Sequence, residues 1–154
     1  MKPLISIVIP SNNRTELLDE AISSIITDAS WNSDCELCIS DNSKGDETGT
    51  LIRTKYNGSS QIVYRRSPDA PSLDENVNMA ISMASGEYVW IFGDDDLIVE
   101  NFLAELIIYL KSSSPDIVIL NSCSFQEQGQ VEASRLALDS LKVYGPGDDD
   151  LFLA

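Results

Sequence analysis

The chain has 154 residues, 43% of them hydrophobic, and a formal charge of −15. That length and composition fit one domain with a real core, or a piece of a larger one. The charge argues against nucleic acid or an anionic membrane surface as partner, since both demand Lys and Arg.

Taken in order, Leu4 to Ile9 is a β-branched run that ends at Pro10, which cannot donate to a ladder, and it predicts a buried first strand. Ser11-Asn12-Asn13-Arg14 is a polar turn. Thr15 or Asn13 can cap a helix whose apolar positions are Leu17, Leu18, Ala21, Ile22, Ile25 and Ile26. Cys35 to Ser40 predicts a second strand, Asp41 to Asp46 a turn-rich loop, and Glu47 to Tyr56 a helix. Asn57-Gly58 signals a turn before a short third strand at Ile62 to Arg65. Leu73 to Ala84 predicts a third helix, with Val77, Ile81 and Ala84 on one side and Gly86 ending it.

Tyr88 to Phe92 predicts a buried fourth strand, with Trp90 in the core. It runs into Gly93-Asp94-Asp95-Asp96, three carboxylates in a row. Clustered negative charges repel one another and need solvent, cations or a divalent metal. An oxygen-only cluster suits Mg²⁺ or Mn²⁺. The plainer possibility is a solvated acidic turn that caps the following helix. That helix is expected from Glu100 to Leu110, with Pro115 beyond it and a fifth strand at Ile117 to Leu120.

Cys35 and Cys38 have a C-x-x-C spacing, but strand residues three apart face opposite sides. The chain has no His and no second Cys pair to complete a zinc site. Both, and Cys123, are expected to be reduced core thiols. No secretory leader is legible at the start, and no apolar run approaches the roughly 18 residues of a membrane span, so a cytoplasmic location is expected.

Strands alternating with helices predict an α/β fold with a mostly parallel central sheet and helices on both faces. In such sheets ligands bind beyond the carboxyl ends of the strands, at a switch in strand order. Pro10 to Arg14, Asp41 to Ser43, Arg65-Arg66 and Asp94 to Asp96 should therefore converge on one rim.

These residues resemble the family-two inverting nucleotide-sugar glycosyltransferases of the Rossmann-like GT-A (nucleotide-diphospho-sugar transferase) fold. Pro10-Ser-Asn-Asn-Arg14 is similar to the family's P-T-x-N-R after its first strand, and Asp41-Asn42-Ser43 to its V-D-D/N-x-S. Asn78 through Gly86-Glu87-Tyr88 is similar to N-x-G/A…A-x-G-E-Y, and the acidic triplet to D-x-D. The resemblance covers roughly residues 3 to 122, in family order. Trp90, the acidic triplet and Pro115-Asp116 look most like the abequosyltransferase-type branch.

The resemblance implies transfer of a sugar from a nucleotide-diphosphate donor to a saccharide or lipid-linked acceptor, in cell-surface polysaccharide or lipopolysaccharide synthesis. It implies nucleotide contacts from Pro10, Ser11, Asn13, Arg14, Asp41, Asn78, Asp94 and Asp95. Asp94 and Asp96 would be the Mn²⁺ or Mg²⁺ pair, with Arg14, Arg65 or Arg66 offsetting phosphate charge. Residues 1–125 would form the nucleotide-sugar-binding core and 126–154 an incomplete acceptor-side segment, with possible peripheral membrane association through a missing part.

Two features depart from the family. Val77 stands where many relatives place Arg. The family's catalytic base lies about ninety residues beyond the metal motif, a distance that general-base geometry alone does not fix. That point falls past Ala154, so the base is expected outside this chain and no later acid is assigned the role.

Two other classes compete. A receiver-type signalling domain needs acids after strand one and a Lys after strand five, whereas this chain has Pro10-Ser11 and Asn121-Ser122 there. A non-catalytic nucleotide-binding module would keep the donor pocket without turnover. A dinucleotide dehydrogenase is disfavoured, because no G-x-G-x-x-G follows the first strand.

Overall fold

The computed structural model describes residues 2–68, 72–125 and 131–134. It divides into two compact units, Met1–Ser114 and Pro115–Ala154.

In the first unit, β1 (Ile5–Ser11), β2 (Cys35–Asp41), β3 (Ile62–Arg66) and β4 (Tyr88–Ile91) form one sheet in the order β3-β2-β1-β4, every pair parallel. Parallel neighbours need crossovers, and α1 (Thr15–Ile26), α2 (Glu47–Lys55) and α3 (Leu73–Met83) supply them. α4 (Phe102–Ser113) follows β4. The chain builds outward from β1 through β2 to β3, then returns to place β4 on the other side of β1. The strand order therefore switches between β1 and β4.

Register sorts the sheet into two faces. Val8 sits beside Cys38 and Ile91, while Ile7 and Ile9 sit beside Leu37 and Ile39. Val8 and Cys38 are sealed by Ala80 of α3, with Met83 and Ala84 packed against them. On the opposite face Ile5, Ile7, Ile9, Leu37 and Ile39 are almost wholly buried, together with Leu18, Ala21, Ile22 and Ile25 of α1. Each of these Ile and Leu side chains contributes roughly 1.5–3 kcal/mol when removed from water. Both faces of the two central strands are thus covered.

Pro10 does not end β1; the strand continues to Ser11. The Val8 carbonyl accepts from Phe92 N–H at 3.0 Å, so Val8 and, two residues on, Pro10 present their backbone to β4. β4 ends at Ile91, opposite Val8. The missing proline N–H thus lies beyond the last rung, where no ladder bond is lost.

β4 is shorter than expected and is not buried. Val89 is 44% and Ile91 54% exposed, because among the described residues β4 is the edge of the sheet. Trp90, on the other face, is only half-buried and packs edge-on against Phe92 at 5.1 Å and obliquely against Phe102 at 6.0 Å. No strand forms at Ile117 to Leu120; Ile117 is 77% exposed, and among the described residues no strand pairs with this β-branched run to take up its backbone groups. α4 starts at Phe102 rather than Glu100 because Asn101 takes a left-handed φ of 65°.

The buried face of α3 is only partly the one expected: Ala84 packs on the core beside Ala80. Asn76 and Ala80 are buried, whereas Ile81 is 37% exposed. Gly86 does not cap that helix with a positive φ; α3 ends three residues earlier, at Met83. Gly86 is needed for close approach instead: a Cβ there would come within 2.8 Å of Ser6 N and 3.0 Å of the Ile5 carbonyl carbon. The Asn57-Gly58 turn is present, with Gly58 at φ 103°. Cys35 and Cys38 are buried free thiols, and burial pushes Cys38 up to about 12.

The second unit, taken by itself, holds a short antiparallel pair, β5 (Cys123–Phe125) with β6 (Val131–Ser134). The segment expected to carry the acceptor side lies largely outside the described residues. Among the described residues no helix is long and apolar enough to cross a membrane.

Candidate functional site

Because the four strands are parallel, their carboxyl ends deliver side chains to one rim. Ser11 is the last residue of β1 and is level with Asp41, the last residue of β2. Arg66, the last of β3, is level with Asp41 on its other side. Asp94 lies three residues past β4.

The β1 and β4 ends meet directly. Ser11 Oγ donates to Asp94 Oδ2 at 2.9 Å. Arg14 Nη1 lies 3.1 Å from Asp94 Oδ1 and 3.1 Å from Asp95 Oδ2. Asp94, and Asp95 after it, raise the Arg14 guanidinium above its ordinary pKa. Asp94 is only 7% exposed, so its charge needs these partners. Asp96 is exposed, and its Oδ2 accepts from Gly93 N–H at 3.2 Å, which closes the acidic turn.

The β1 and β2 loops are stitched together through Asn13, whose φ is 55°. Its N–H donates to Ser43 Oγ at 2.7 Å, and its Oδ1 accepts from Lys44 N–H at 3.2 Å. That commitment explains why Asn13 does not cap α1. Thr15 does not cap it either; its hydroxyl is 3.1 Å from that of Thr48 in α2.

Asp41 is wholly buried. Its Oδ1 accepts from Ser43 N–H at 2.9 Å and its Oδ2 from the Tyr64 hydroxyl at 2.8 Å. Burial first, then this carboxylate, drives the Tyr64 hydroxyl above the ordinary phenol range. Arg66 donates to the Lys44 carbonyl at 2.9 Å and so braces the same loop, while Arg65 is exposed.

The structure thus brings together Pro10, Ser11, Asn13, Arg14, Asp41 and Asp94 to Asp96. It does not bring Asn78, which lies on the exposed side of α3. The residue that reaches the rim is Asn76, 1% exposed and bonded to three strand-end groups. Two positions are roughly 200° apart around a helix, so the two asparagines cannot share a face. The signal was legible in the Asn76, Ala80, Ala84 spacing, but hydrophobicity favoured Val77 and Ile81. Two further rim residues escape a motif search. Tyr64 is one. Ser67 is the other: it continues β3 through its N–H to the Asp41 carbonyl at 2.7 Å, and its buried hydroxyl has no partner among the described residues.

Among the described residues no group of three or more acidic, His or Cys side chains is arranged to hold a metal. Asp94 and Asp95 are engaged by Ser11 and Arg14. The set does not make an all-protein cage. It fits the alternative for a hard cation, which takes one or two carboxylates and completes its shell with substrate phosphates and water. A separate cavity of about 250 Å³, lined by residues including Ser24, Asp28, Ile98 and Glu100, shares none of these rim residues.

The glycosyl transferase family 2 model matches residues 6–140. This chain belongs to the family-two glycosyltransferases. Over 129 residues it is 41% identical to the abequosyltransferase RfbV of Salmonella typhimurium, covering 82% of this chain and 37% of that protein. It is 27% identical over 127 residues to the glycosyltransferase GlyG of Streptococcus pneumoniae, covering 82% of this chain and 42% of that one. The chain therefore spans well under half the length of these relatives. Its fold matches the crystal structure of Staphylococcus aureus TarS 1–349 with a TM-score of 0.65 at 19% identity, over 72% of this chain and 33% of that one. That likeness establishes a GT-A glycosyltransferase fold. The same TarS fragment has also been solved in complex with UDP.

Proposed function

We propose that this chain is the donor-binding half of an inverting, metal-dependent glycosyltransferase that moves a sugar from a nucleotide diphosphate to an acceptor hydroxyl. The observation that carries the proposal is the Ser11–Asp94–Arg14 cluster at the β1/β4 switch point, on the same rim as Asp41. Pro10, Ser11 and Asn13 would line the nucleoside pocket, with Asp41 at its floor. Asp94 and Asp96 would hold Mn²⁺ or Mg²⁺. When bound, that ion neutralises charge on the departing diphosphate without a proton transfer.

The chain's own residues then have distinct tasks. Ser11 and Arg14 fix the Asp94 carboxylate in place. Arg14 supplies a cation beside the position the phosphates would take. Asn13 and Arg66 hold the loop after β2 against the β1 end. No catalytic base is assigned. The relatives' names, an abequosyltransferase and an undecaprenol-linked glucosyltransferase among them, support a role in polysaccharide or lipopolysaccharide synthesis; a cytoplasmic location is part of the same proposal. The core at 1–125 would bind donor and the segment from 126 would face the acceptor.

Calorimetry with UDP, GDP, CDP and dTDP, with and without Mn²⁺, tests this. Binding that requires Mn²⁺ and is lost in Asp96→Asn is the expected result. Metal-independent binding leaves a nucleotide module without transfer chemistry, and no binding to any of the four overturns the proposal.

A further inference from the structure

We propose that Asn76 is the positioning residue of the donor rim: its buried amide sets the spacing between the Ser11–Asp94 pair and the loop that follows Asp41. The inference deepens the donor-binding proposal and rests on it.

Asn76 lies in the first part of α3, the crossover that packs over β1 and β2. Its Oδ1 accepts from Ser40 Oγ at 2.7 Å. Its Nδ2 donates to the Ser11 carbonyl at 3.1 Å and to Asn42 Oδ1 at 3.2 Å. The carbonyl and both N–H groups are therefore used, with none spent within α3. The Ser11 carbonyl also accepts from Asn42 N–H at 3.1 Å. One side chain thus clamps the end of β1 to the end of β2.

What is clamped matters. Ser11 carries on its hydroxyl the bond to Asp94, and Asn42 is the residue after Asp41. A shift of the Ser11 backbone moves Asp94 relative to Asp41, and with it the two walls between which a nucleoside diphosphate would lie. Sub-ångström placement of binding groups is worth orders of magnitude in such sites. A plain core position would be filled more cheaply by an apolar side chain, since each buried amide group must find a partner. Here every partner is a strand-end group of the rim.

Two variants test the role in the full 154-residue chain. Asn76→Asp preserves shape and the bond from Ser40, but sets a carboxylate oxygen against two acceptors. Ser40→Ala removes the bond that orients the amide from below and leaves the rim backbone in place. Far-UV circular dichroism and the unfolding midpoint report the fold. Calorimetry with UDP, GDP, CDP and dTDP plus Mn²⁺, well below that midpoint, reports the site.

The expected result is native circular dichroism with nucleotide binding about tenfold weaker in Asn76→Asp and several-fold weaker in Ser40→Ala, the size of a lost hydrogen bond. Binding by Asn76→Asp should recover in part as pH falls, because a protonated carboxyl regains one donor. A merely structural role lowers the midpoint but leaves the folded protein's affinity and its pH profile unmoved. Should Asn76→Asp not fold, Ser40→Ala decides. Folded variants that bind as the parent does overturn the inference alone. A parent that binds none of the four nucleotides overturns the functional proposal and this one with it.

Discussion

Ser11 and Asp94 are 83 positions apart in sequence, yet the hydroxyl of one donates to the carboxylate of the other at 2.9 Å. The bond closes the gap between β1 and β4, where the strand order reverses. Ser11→Ala leaves Asp94 with Arg14 but without its buried donor. A hydrogen bond to a charged group is worth about 1.5–3 kcal/mol, so nucleotide binding in Mn²⁺ should weaken about tenfold or more. Calorimetry against the parent measures it; an unchanged Kd would detach Asp94 from the donor.

Arg14 occupies the acidic turn that the metal would also use. Its guanidinium is shared between Asp94 and Asp95. Arg14→Gln should bind Mn²⁺ in the absence of nucleotide about threefold more tightly, the scale of an exposed ion pair. The same variant should bind nucleoside diphosphate more weakly, since a cation is gone. Manganese electron paramagnetic resonance separates the two effects. Weaker binding of both would place Arg14 as a brace only.

Glu36 sits at the opposite end of the sheet. Burial pushes its carboxyl up, but donation from Ser6, Ser85 and the Gly86 backbone outweighs that and holds it below its ordinary value of 4.5. A carboxyl depressed in the folded state contributes stability above its unfolded pKa, and that contribution is lost as pH falls through the folded one. Glu36→Gln should therefore cost about 1–2 kcal/mol at pH 7 and flatten the acid limb of the stability curve. Urea midpoints from pH 7 down to pH 3 check the prediction; parallel curves for variant and parent would contradict it.

Gly86 tests the same corner sterically. A methyl group would meet Ser6 Oγ at 2.6 Å as well as backbone atoms that cannot rotate away. Gly86→Ala should lower stability by about 1–3 kcal/mol, the usual cost of overpacking. Thermal unfolding reads this directly. Because φ at Gly86 is not positive, the cost is one of space alone.

Ser67 gives the reverse pattern. Its hydroxyl is buried and has no partner among the described residues, so Ser67→Ala should leave the unfolding midpoint within error or raise it slightly. Its place beside Asp41 predicts a several-fold loss of nucleotide affinity, again by calorimetry. A stability loss with unchanged affinity would remove Ser67 from the site.

The sequence by itself determined the parallel α/β plan. β-branched runs separated by helical spacing permit little else, and the strand-end motifs at Pro10, Asp41 and Asp94 follow from where each run stops. It could not determine which residues of a helix meet the rim. The 76/80 and 77/81 stripes differ by one residue in phase, and hydrophobicity chose the wrong one because the buried side chain is an amide. Nor could it show that Pro10 stays within β1, since that depends on where the neighbouring strand ends. Only the tertiary structure decided that Arg14 lies between two carboxylates and that Ser40, Ser11 and Asn42 share one buried side chain. Such contacts depend on how crossovers set strand ends side by side, and local pattern carries no record of that distance.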